Sequence, residues 1–283
     1  MKAYLDCLPC MLRQVLEASK ISTDNEELQN KIMAEALKGL ADYKEYRNSP
    51  EVCRVMHGIV KQRTGVADTY REIKQRGIQT ALKLLPALKR YVEDRKDRLY
   101  AALKAAATGN VLDSSISSSI DFEACLEDEF NKPFTICDID ALEEKLKVSK
   151  TLLIIGDNAG ETVLDRILIE ELPPLDVTYA VRSAPIINDA TKEDACASGL
   201  ETYARIISTG CDVPGVNLDE CSGEFLDAFY GADIVICKGQ GNYETLSECD
   251  RDLFFLLKAK CIVLARLLNV SLNAYVFKYL KGA

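Results

Sequence analysis

The chain contains no tryptophan and a single histidine, His57. A histidine-rich zinc site is thereby excluded, and a Ser-His-Asp triad could draw only on His57. Positive charge is also short. There are 35 Lys and Arg against 44 Asp and Glu, a formal net charge of -9. A nucleic acid polymer wants a basic surface, so none is expected as a partner. A small phosphate ester stays open, because one cation and a few local donors suffice to hold it. No apolar run reaches the roughly 18 residues of a membrane span, so no membrane association is expected. The opening Met1-Lys2-Ala3-Tyr4-Leu5-Asp6 lacks a long apolar core and carries an acid, so no signal peptide is expected.

Cysteine, in contrast, is abundant at eleven residues, an odd number that leaves at least one thiol unpaired. Without a secretory signal the expected compartment is the reducing cytoplasm, where thiols stay free. The 283 residues, 48% hydrophobic and 28% charged, describe an ordinary globular chain with room for two domains.

Two rhythms divide the sequence. Up to residue 107 the apolar positions recur at helical spacing: Met11-Leu12 with Val15-Leu16, Ile32-Met33 with Ala36-Leu37 and Leu40, then Ile78, Leu82, Leu85 and Leu88 around Pro86. Tyr100 to Ala107 continues in helix formers, and Thr108-Gly109-Asn110 reads as a helix stop. From Thr151 short apolar runs at 152–155, 177–181, 204–208, 234–237 and 262–264 alternate with helical patterns. Strands alternating with helices predict a parallel sheet with right-handed crossovers. The expected class is α/β, with a helical N-terminal domain over 1–107 and a Rossmann-like α/β/α domain over 108–283.

The run Leu152-Leu153-Ile154-Ile155 ends in Gly156-Asp157-Asn158. In open α/β sheets ligands bind beyond the carboxyl ends of such strands. Asp157 and Asn158 are hard oxygen donors, suited to Mg²⁺ or Mn²⁺ and not to a soft metal. After Val181 come Arg182 and, further on, Asn188-Asp189; after Cys237 come Lys238-Gly239-Gln240-Gly241-Asn242-Tyr243-Glu244. Strand ends on one sheet edge converge, so these loops predict a cluster of oxygen ligands, a cation and glycine-rich backbone donors. Asn, Asp and Gly also dominate ordinary turns. Three such loops on one edge weigh against turn chemistry alone.

These stretches resemble a known family. Gly156-Asp157-Asn158-Ala159-Gly160-Glu161, Asn188-Asp189-Ala190-Thr191 and the segment from Lys238 to Glu244 are similar to motifs of the DUF89 family, the metal-dependent damage-control phosphatases. So are Thr108-Gly109-Asn110-Val111-Leu112-Asp113, the closing Lys258-Ala259-Lys260-Cys261 and the opening Cys7-Leu8-Pro9-Cys10. The Cys-x-x-Cys start resembles the stand-alone prokaryotic branch. The resemblance covers nearly the whole chain. It implies a helical N-terminal region, a Rossmann-like domain and metal ligation by Asp157, Asn158 and Asp189. It also implies that Lys238 holds the substrate phosphate and that the cofactor is a divalent ion, Mn²⁺, Ni²⁺ or Mg²⁺. The implied substrates are small phosphorylated metabolites, including damaged or surplus nucleotides. Asn110, Asp113, Glu161, Arg182, Asn188, Gly239, Gly241 and Asn242 are expected to contact substrate beside Lys238.

The chemistry needs no histidine. A divalent ion neutralises the phosphomonoester and can lower the pKa of bound water, while lysine and backbone N–H groups stabilise the equatorial oxygens. Whether the nucleophile is a metal-bound water or an aspartate stays open. A second reading is a non-catalytic nucleotide- or metabolite-binding protein using the same crevice. A dinucleotide oxidoreductase is weaker, because the third glycine of the fingerprint begun by Gly239 and Gly241 is Glu244. Asp138-Ile139-Asp140 imitates a haloacid-dehalogenase signature but has Leu142 where Thr is usual, so a helix N-cap is expected. His57 is expected in a helix near its C-cap. Cys7 and Cys10 could form a redox pair or half of a soft-metal site, but no second Cys-x-x-Cys completes a tetrahedron, and a packing role is expected.

Overall fold

Local chemistry defines the helices before any packing does. The third helix begins where the Asn48 side chain accepts from the Glu51 N–H at 2.9 Å and Pro50 occupies the first turn, and it ends at Gly65 in the left-handed region. The computed structural model describes residues 1–115 and 128–282, and from 110 to 115 the backbone alone. The side chains of Asn110 and Asp113, expected at the crevice, therefore lie outside the described residues. Helices α1 (Cys7–Ser22), α2 (Glu26–Ala41), α3 (Ser49–Thr64), α4 (Arg71–Glu93) and α5 (Arg98–Ser115) come first. Then follow β1 (Phe134–Cys137), α6 (Ile139–Leu146), β2 (Thr151–Ile155), α7 (Glu161–Glu171), β3 (Asp176–Val181), α8 (Lys192–Ala197) and β4 (Arg205–Ser208). The chain closes with α9 (Gly223–Gly231), β5 (Ile234–Lys238), α10 (Gly239–Leu246), β6 (Leu253–Lys258), α11 (Ile262–Leu268) and β7 (Tyr275–Leu280).

Among the described residues the strands form one seven-stranded sheet in the order β1-β7-β6-β5-β2-β3-β4. The five strands from β6 to β4 are parallel; β7 is antiparallel to β6, and β1 runs parallel to β7. The expected α/β class with a mostly parallel sheet is found. Within the parallel set the chain starts at the middle, at β2, winds outward through β3 and β4, then returns to β5 and β6 on the other side. The order reverses between β2 and β5, which is where doubly wound sheets open a crevice. Register brings the strand ends level there, since Ile155 pairs with both Ala180 and Cys237.

Side-chain alternation splits the sheet into two cores. Leu152, Ile154, Tyr179, Ile236 and Phe254 face α4, α5 and α7, whereas Leu153, Ile155, Cys237 and Phe255 face α9 and α11. Helices α1 to α3 enclose a third core around Val15, Ile32, Ala36 and Met56. The domain division expected after residue 107 falls inside α5, and both α4 and α5 share a core with the sheet.

Three local expectations are corrected. The run 262–264 is not a strand but the start of α11, with Val263 and Leu264 buried and Ile262 exposed; a short apolar run does not separate strand from helix. The strand of that region is β6, Leu253–Lys258, which precedes α11 and is buried along most of its length. Thr108-Gly109-Asn110 does not stop α5, which runs on to Ser115. Gly109 instead lets α5 approach α7: a Cβ there would crowd Leu164 and Glu161. His57 sits within α3, buried, its Nε2 3.4 Å from Gln14 Oε1, and not at a C-cap. Asp138 does occupy the N-cap position of α6, but its carboxylate accepts from the Tyr279 N–H at 2.7 Å instead of capping. Among the described residues no helix is long and apolar enough to cross a membrane.

Lys74 of α4 is 2% exposed and lies 2.8 Å from both Asp68 and Asp194, the second of which also closes the capping box of α8. Removing the cation leaves two carboxylates facing each other away from water. Lys74→Ala is expected to cost about 3 kcal/mol in urea unfolding. A loss below about 1 kcal/mol, typical of an exposed ion pair, would show that the clamp contributes little.

Candidate active site

The crevice is assembled from three strand ends. Beyond β2 the chain passes Gly156, where a Cβ would overlap the Tyr179 ring, and reaches Asp157 and Asn158. The loop after β3 then folds back on it. Ala190 N–H donates to the Asp157 carbonyl at 2.7 Å, Ala159 N–H to the Asn188 carbonyl at 2.9 Å, and Arg182 N–H to the Ala190 carbonyl at 2.9 Å. This stitching sets Asn158 opposite Asp189 as an isolated antiparallel bridge. The third contribution is the turn from β5 into α10. Gly239 adopts φ 77, and a Cβ there would run into the Asp157 carboxylate, so only glycine lets the turn come this close.

Beneath these loops lies a buried polar network. Arg182, 1% exposed, donates from Nε to Asp189 Oδ2 at 2.7 Å and from Nη2 to Asn242 Oδ1 at 3.2 Å. Asn242 returns its amide N–H groups to the carbonyls of Lys238 and Gly156 at 2.6 and 3.0 Å. Asn158 Nδ2 donates to Glu161 Oε1 at 3.1 Å, which points the amide oxygen of Asn158 away from that glutamate. Lys238 is fully enclosed, and its ammonium reaches Glu161 at 2.8 Å, Asp165 at 2.6 Å and the Ala106 carbonyl of α5 at 3.1 Å.

The electrostatics follow from this enclosure. Burial first, then the charges of Asp189 and Glu161, push the Asp157 carboxyl well above the usual carboxylate range, against the pull of Arg182 and Lys238. Burial also raises Asp189, with Arg182 opposing. Burial alone would lower Lys238, but Asp165 and Glu161 outweigh it and hold its ammonium charged. Asp157, Asp189, Glu161 and Asp165 set against Arg182 and Lys238 leave a formal excess of two negative charges. One divalent cation carries the opposite charge. Among the described residues no three His, Cys, Asp or Glu side chains converge as a metal site. The donor set that fits an ion is thus two carboxylates and an amide oxygen, a hard and incomplete shell of the kind Mg²⁺ and Mn²⁺ accept when water or substrate supplies the rest.

These groups open on a cavity of about 480 Å³. Asp157, Asn158, Asn188 and Asp189 line its floor, with Gly239, Gln240 and Gly241 beside them. The start of α10 therefore borders the cavity, and the first N–H groups of a helix attract anions. Of the residues expected to touch substrate, Asn188, Gly239 and Gly241 line the cavity. Glu161, Arg182, Asn242 and Lys238 are instead found in the buried network below it. All three donors of Lys238 are engaged by protein, so its position is that of a support and not of a phosphate ligand. Sequence reasoning gave no role to Lys258 and Lys260, yet both line the cavity; the signal was their motif at the end of β6. Cys7 and Cys10 also line it, joined by Cys53 and Cys261, which no spacing rule connects to them. Glu244 completes that side, and burial pushes its carboxyl up to about 7 against the N-terminal ammonium and Ser49.

Replacing Lys238 tests its place. Lys238→Met would leave Glu161 and Asp165 buried without a counter-charge and is expected to cost about 3–5 kcal/mol. Chemical unfolding measures this. A variant as stable as the parent, weakened only in phosphate binding, would return Lys238 to the substrate side.

The fold and family are shared with known proteins. The family model described as the damage-control phosphatase ARMT1-like domain matches residues 3–276. A damage-control phosphatase of Pyrococcus horikoshii is 38% identical over 284 residues, covering 98% of this chain and 97% of that one. A damage-control phosphatase of Archaeoglobus fulgidus is 31% identical over 281 residues, covering 96% and 97%. The crystal structure of a DUF89 family protein from Pyrococcus horikoshii superposes with a TM-score of 0.90 at 37% identity, covering 98% of each chain. The chain belongs to the ARMT1-like, or DUF89, family of damage-control phosphatases.

Proposed function

We propose that this phosphatase is a divalent-metal-dependent phosphomonoester hydrolase acting on small phosphorylated metabolites, nucleotides among them. The observation that carries the reading is the excess of two negative charges around Asp157, Asn158 and Asp189 at the floor of a 480 Å³ cavity. Such a floor repels a phosphate ester by itself and attracts it once a divalent ion is held there. Asp157, Asn158 and Asp189 would hold Mn²⁺, Ni²⁺ or Mg²⁺. The ion, when bound, supplies charge neutralisation of the phosphoryl group and an activated oxygen nucleophile.

The protein's own groups have separate tasks. The N-terminal amides of α10 bind and orient the equatorial phosphate oxygens, with Lys260 and Lys258, the latter held by Glu129 at 2.7 Å, bordering the same cavity. Arg182 fixes the Asp189 carboxylate, and Glu161 fixes the Asn158 amide. Lys238 holds Glu161 in that posture. The cavity is far larger than a phosphate, which leaves room for the organic part of a nucleotide-sized ester. The free thiols of the ten described cysteines support a reducing, cytoplasmic setting.

Hydrolysis of an aryl phosphate, with and without Mn²⁺, Ni²⁺ or Mg²⁺ and after chelation, tests the reading, followed by a panel of nucleotides and sugar phosphates. Turnover is expected only with metal and should vanish in Asp157→Ala. Tight nucleotide binding with no turnover under any metal would favour the binding-protein reading instead. Glu161→Gln keeps the shape of the Asn158 partner but weakens its hold, and should reduce Mn²⁺ affinity by roughly 10- to 100-fold. Calorimetric titration checks this, with a thermal scan on the same sample to confirm the fold.

A further inference from the structure

The proposed hydrolysis leaves one proton without a source. When phosphorus parts from the organic group, the ester oxygen departs as an alkoxide, a strong base that needs a proton from an acid nearby. The single histidine, His57, is buried in α3 beside Gln14 and does not line the cavity. We propose that Glu244 is the general acid, the group that protonates the leaving ester oxygen; this rests on the phosphatase reading of the cavity. The carboxyl groups that line the cavity are Asp6, Asp157, Asp189 and Glu244. Asp157 and Asp189 are the candidate ion ligands, and Asp6 is exposed. Glu244 is buried in the wall, 9% exposed.

Its place on α10 suits the role. Gln240 and Gly241 stand at the cavity where the first N–H groups of α10 face the phosphate position. Glu244 follows them by four and three residues, which puts it on the same face of the helix, about 5–6 Å further along. Helical side chains tilt toward the N-terminus of their helix, so the Glu244 carboxyl is carried back toward the phosphate. Cys53 of α3 is reached by the charges of both Asp189 and Glu244, which places the acid near the floor. Around the carboxyl, α3 supplies Cys53 and Ser49, the second hydrogen-bonded to it, and α1 supplies Cys7. The Met1 ammonium donates to the Glu244 main-chain carbonyl at 2.6 Å. Among the described residues no Lys or Arg side chain forms an ion pair with Glu244.

Burial without a cationic side chain keeps the proton on Glu244, pushing its carboxyl up to about 7 against the Met1 ammonium and Ser49. Such an acid holds its proton near neutral pH and still yields it to a far stronger base. Burial drives the Cys7 and Cys53 thiols up as well, which makes them weaker acids. In the step itself an oxygen nucleophile forms a bond to phosphorus, and the P–O bond to the organic group breaks. The electron pair of that bond stays on the leaving oxygen, which takes the proton from Glu244 and departs as an alcohol. Glu244 is left as a carboxylate. The water consumed in the hydrolysis gives its hydroxyl to phosphorus and its remaining proton back to Glu244, so atoms and charge balance.

The test compares two esters whose leaving groups differ in their need for a proton: glycerol phosphate, which releases an alkoxide, and nitrophenyl phosphate, which releases a weakly basic phenolate. In Glu244→Gln with Mn²⁺, the ratio of glycerol phosphate to nitrophenyl phosphate turnover is expected to fall by about 100-fold, the lower end of what a general acid contributes. An unchanged ratio overturns the proposal, because a structural role would slow both esters alike. A pH-difference infrared spectrum of the metal-free chain should contain a protonated-carboxyl band that the same spectrum of Glu244→Gln lacks; identical spectra overturn the proposal as well. Should the variant not fold, the pH profile of the unmodified chain decides. Glycerol phosphate turnover is expected to decline as the pH rises through about 7 while nitrophenyl phosphate turnover does not follow, and parallel profiles overturn the role. No turnover of either ester by the unmodified chain with Mn²⁺, Ni²⁺ or Mg²⁺ would defeat the phosphatase reading itself, an outcome distinct from an unchanged ratio in the variant.

Discussion

Lys238 brings a full positive charge to a place enclosed on every side, at the end of β5 and under the floor of the cavity. Taking an ammonium and two carboxylates out of water costs several kcal/mol per ion, and their attraction offsets that only when every hydrogen bond is made. Each of the three donors does have a partner, on two elements: Glu161 and Asp165 on α7 and the Ala106 carbonyl on α5. Asp165 accepts a further bond from the Tyr179 hydroxyl at 2.6 Å, which brings β3 into the same network. The cluster therefore fixes how helix α7, helix α5 and the central strands meet. Glu161 extends it to Asn158, so the same interaction orients a candidate metal ligand.

The remaining geometry hangs on two close approaches that only glycine permits. Gly239 lets the start of α10 come against Asp157, and Gly109 lets α5 lie on α7 at Glu161. Between them the negative floor is held rigidly by neighbours that carry too little positive charge to balance it. The formally uncompensated pair of charges is a cost to the protein without an ion, and under the proposed reading the same cost would favour a divalent ion there.

The α1–α3 lobe contributes the opposite wall. Its own core is separate from the sheet, but it is tied to the Rossmann-like part by charge: Arg54 pairs with Asp212 and Glu220, and Arg47 with Asp219 and Glu220. Cys7, Cys10 and Cys53 from this lobe meet Cys261 across the cavity. The wall is soft and largely apolar where the floor is hard and charged. A phosphate and an organic group could each find a matching surface.

The sequence by itself determined the class, the strands β2 to β5 and the loops that carry Asp157, Asn158 and Asp189, because runs of period two or full burial and glycine-rich strand ends are local signals. It could not separate β6 from α11, since Leu253–Lys258 and Ile262–Leu268 are both short and apolar and only pairing with β5 and β7 distinguishes them. Nor could it tell Lys238 from Lys258 and Lys260. All three stand at strand ends in polar motifs, but Lys238 is enclosed by Glu161 and Asp165 below the cavity, whereas Lys258, itself paired with Glu129 at 2.7 Å, and Lys260 border it. Arg182 and Asn242, read as substrate contacts, became supports for the same reason. Residue type tells what a side chain can bind, whereas enclosure by distant elements decides whether its donors are spent on protein or left to face a ligand.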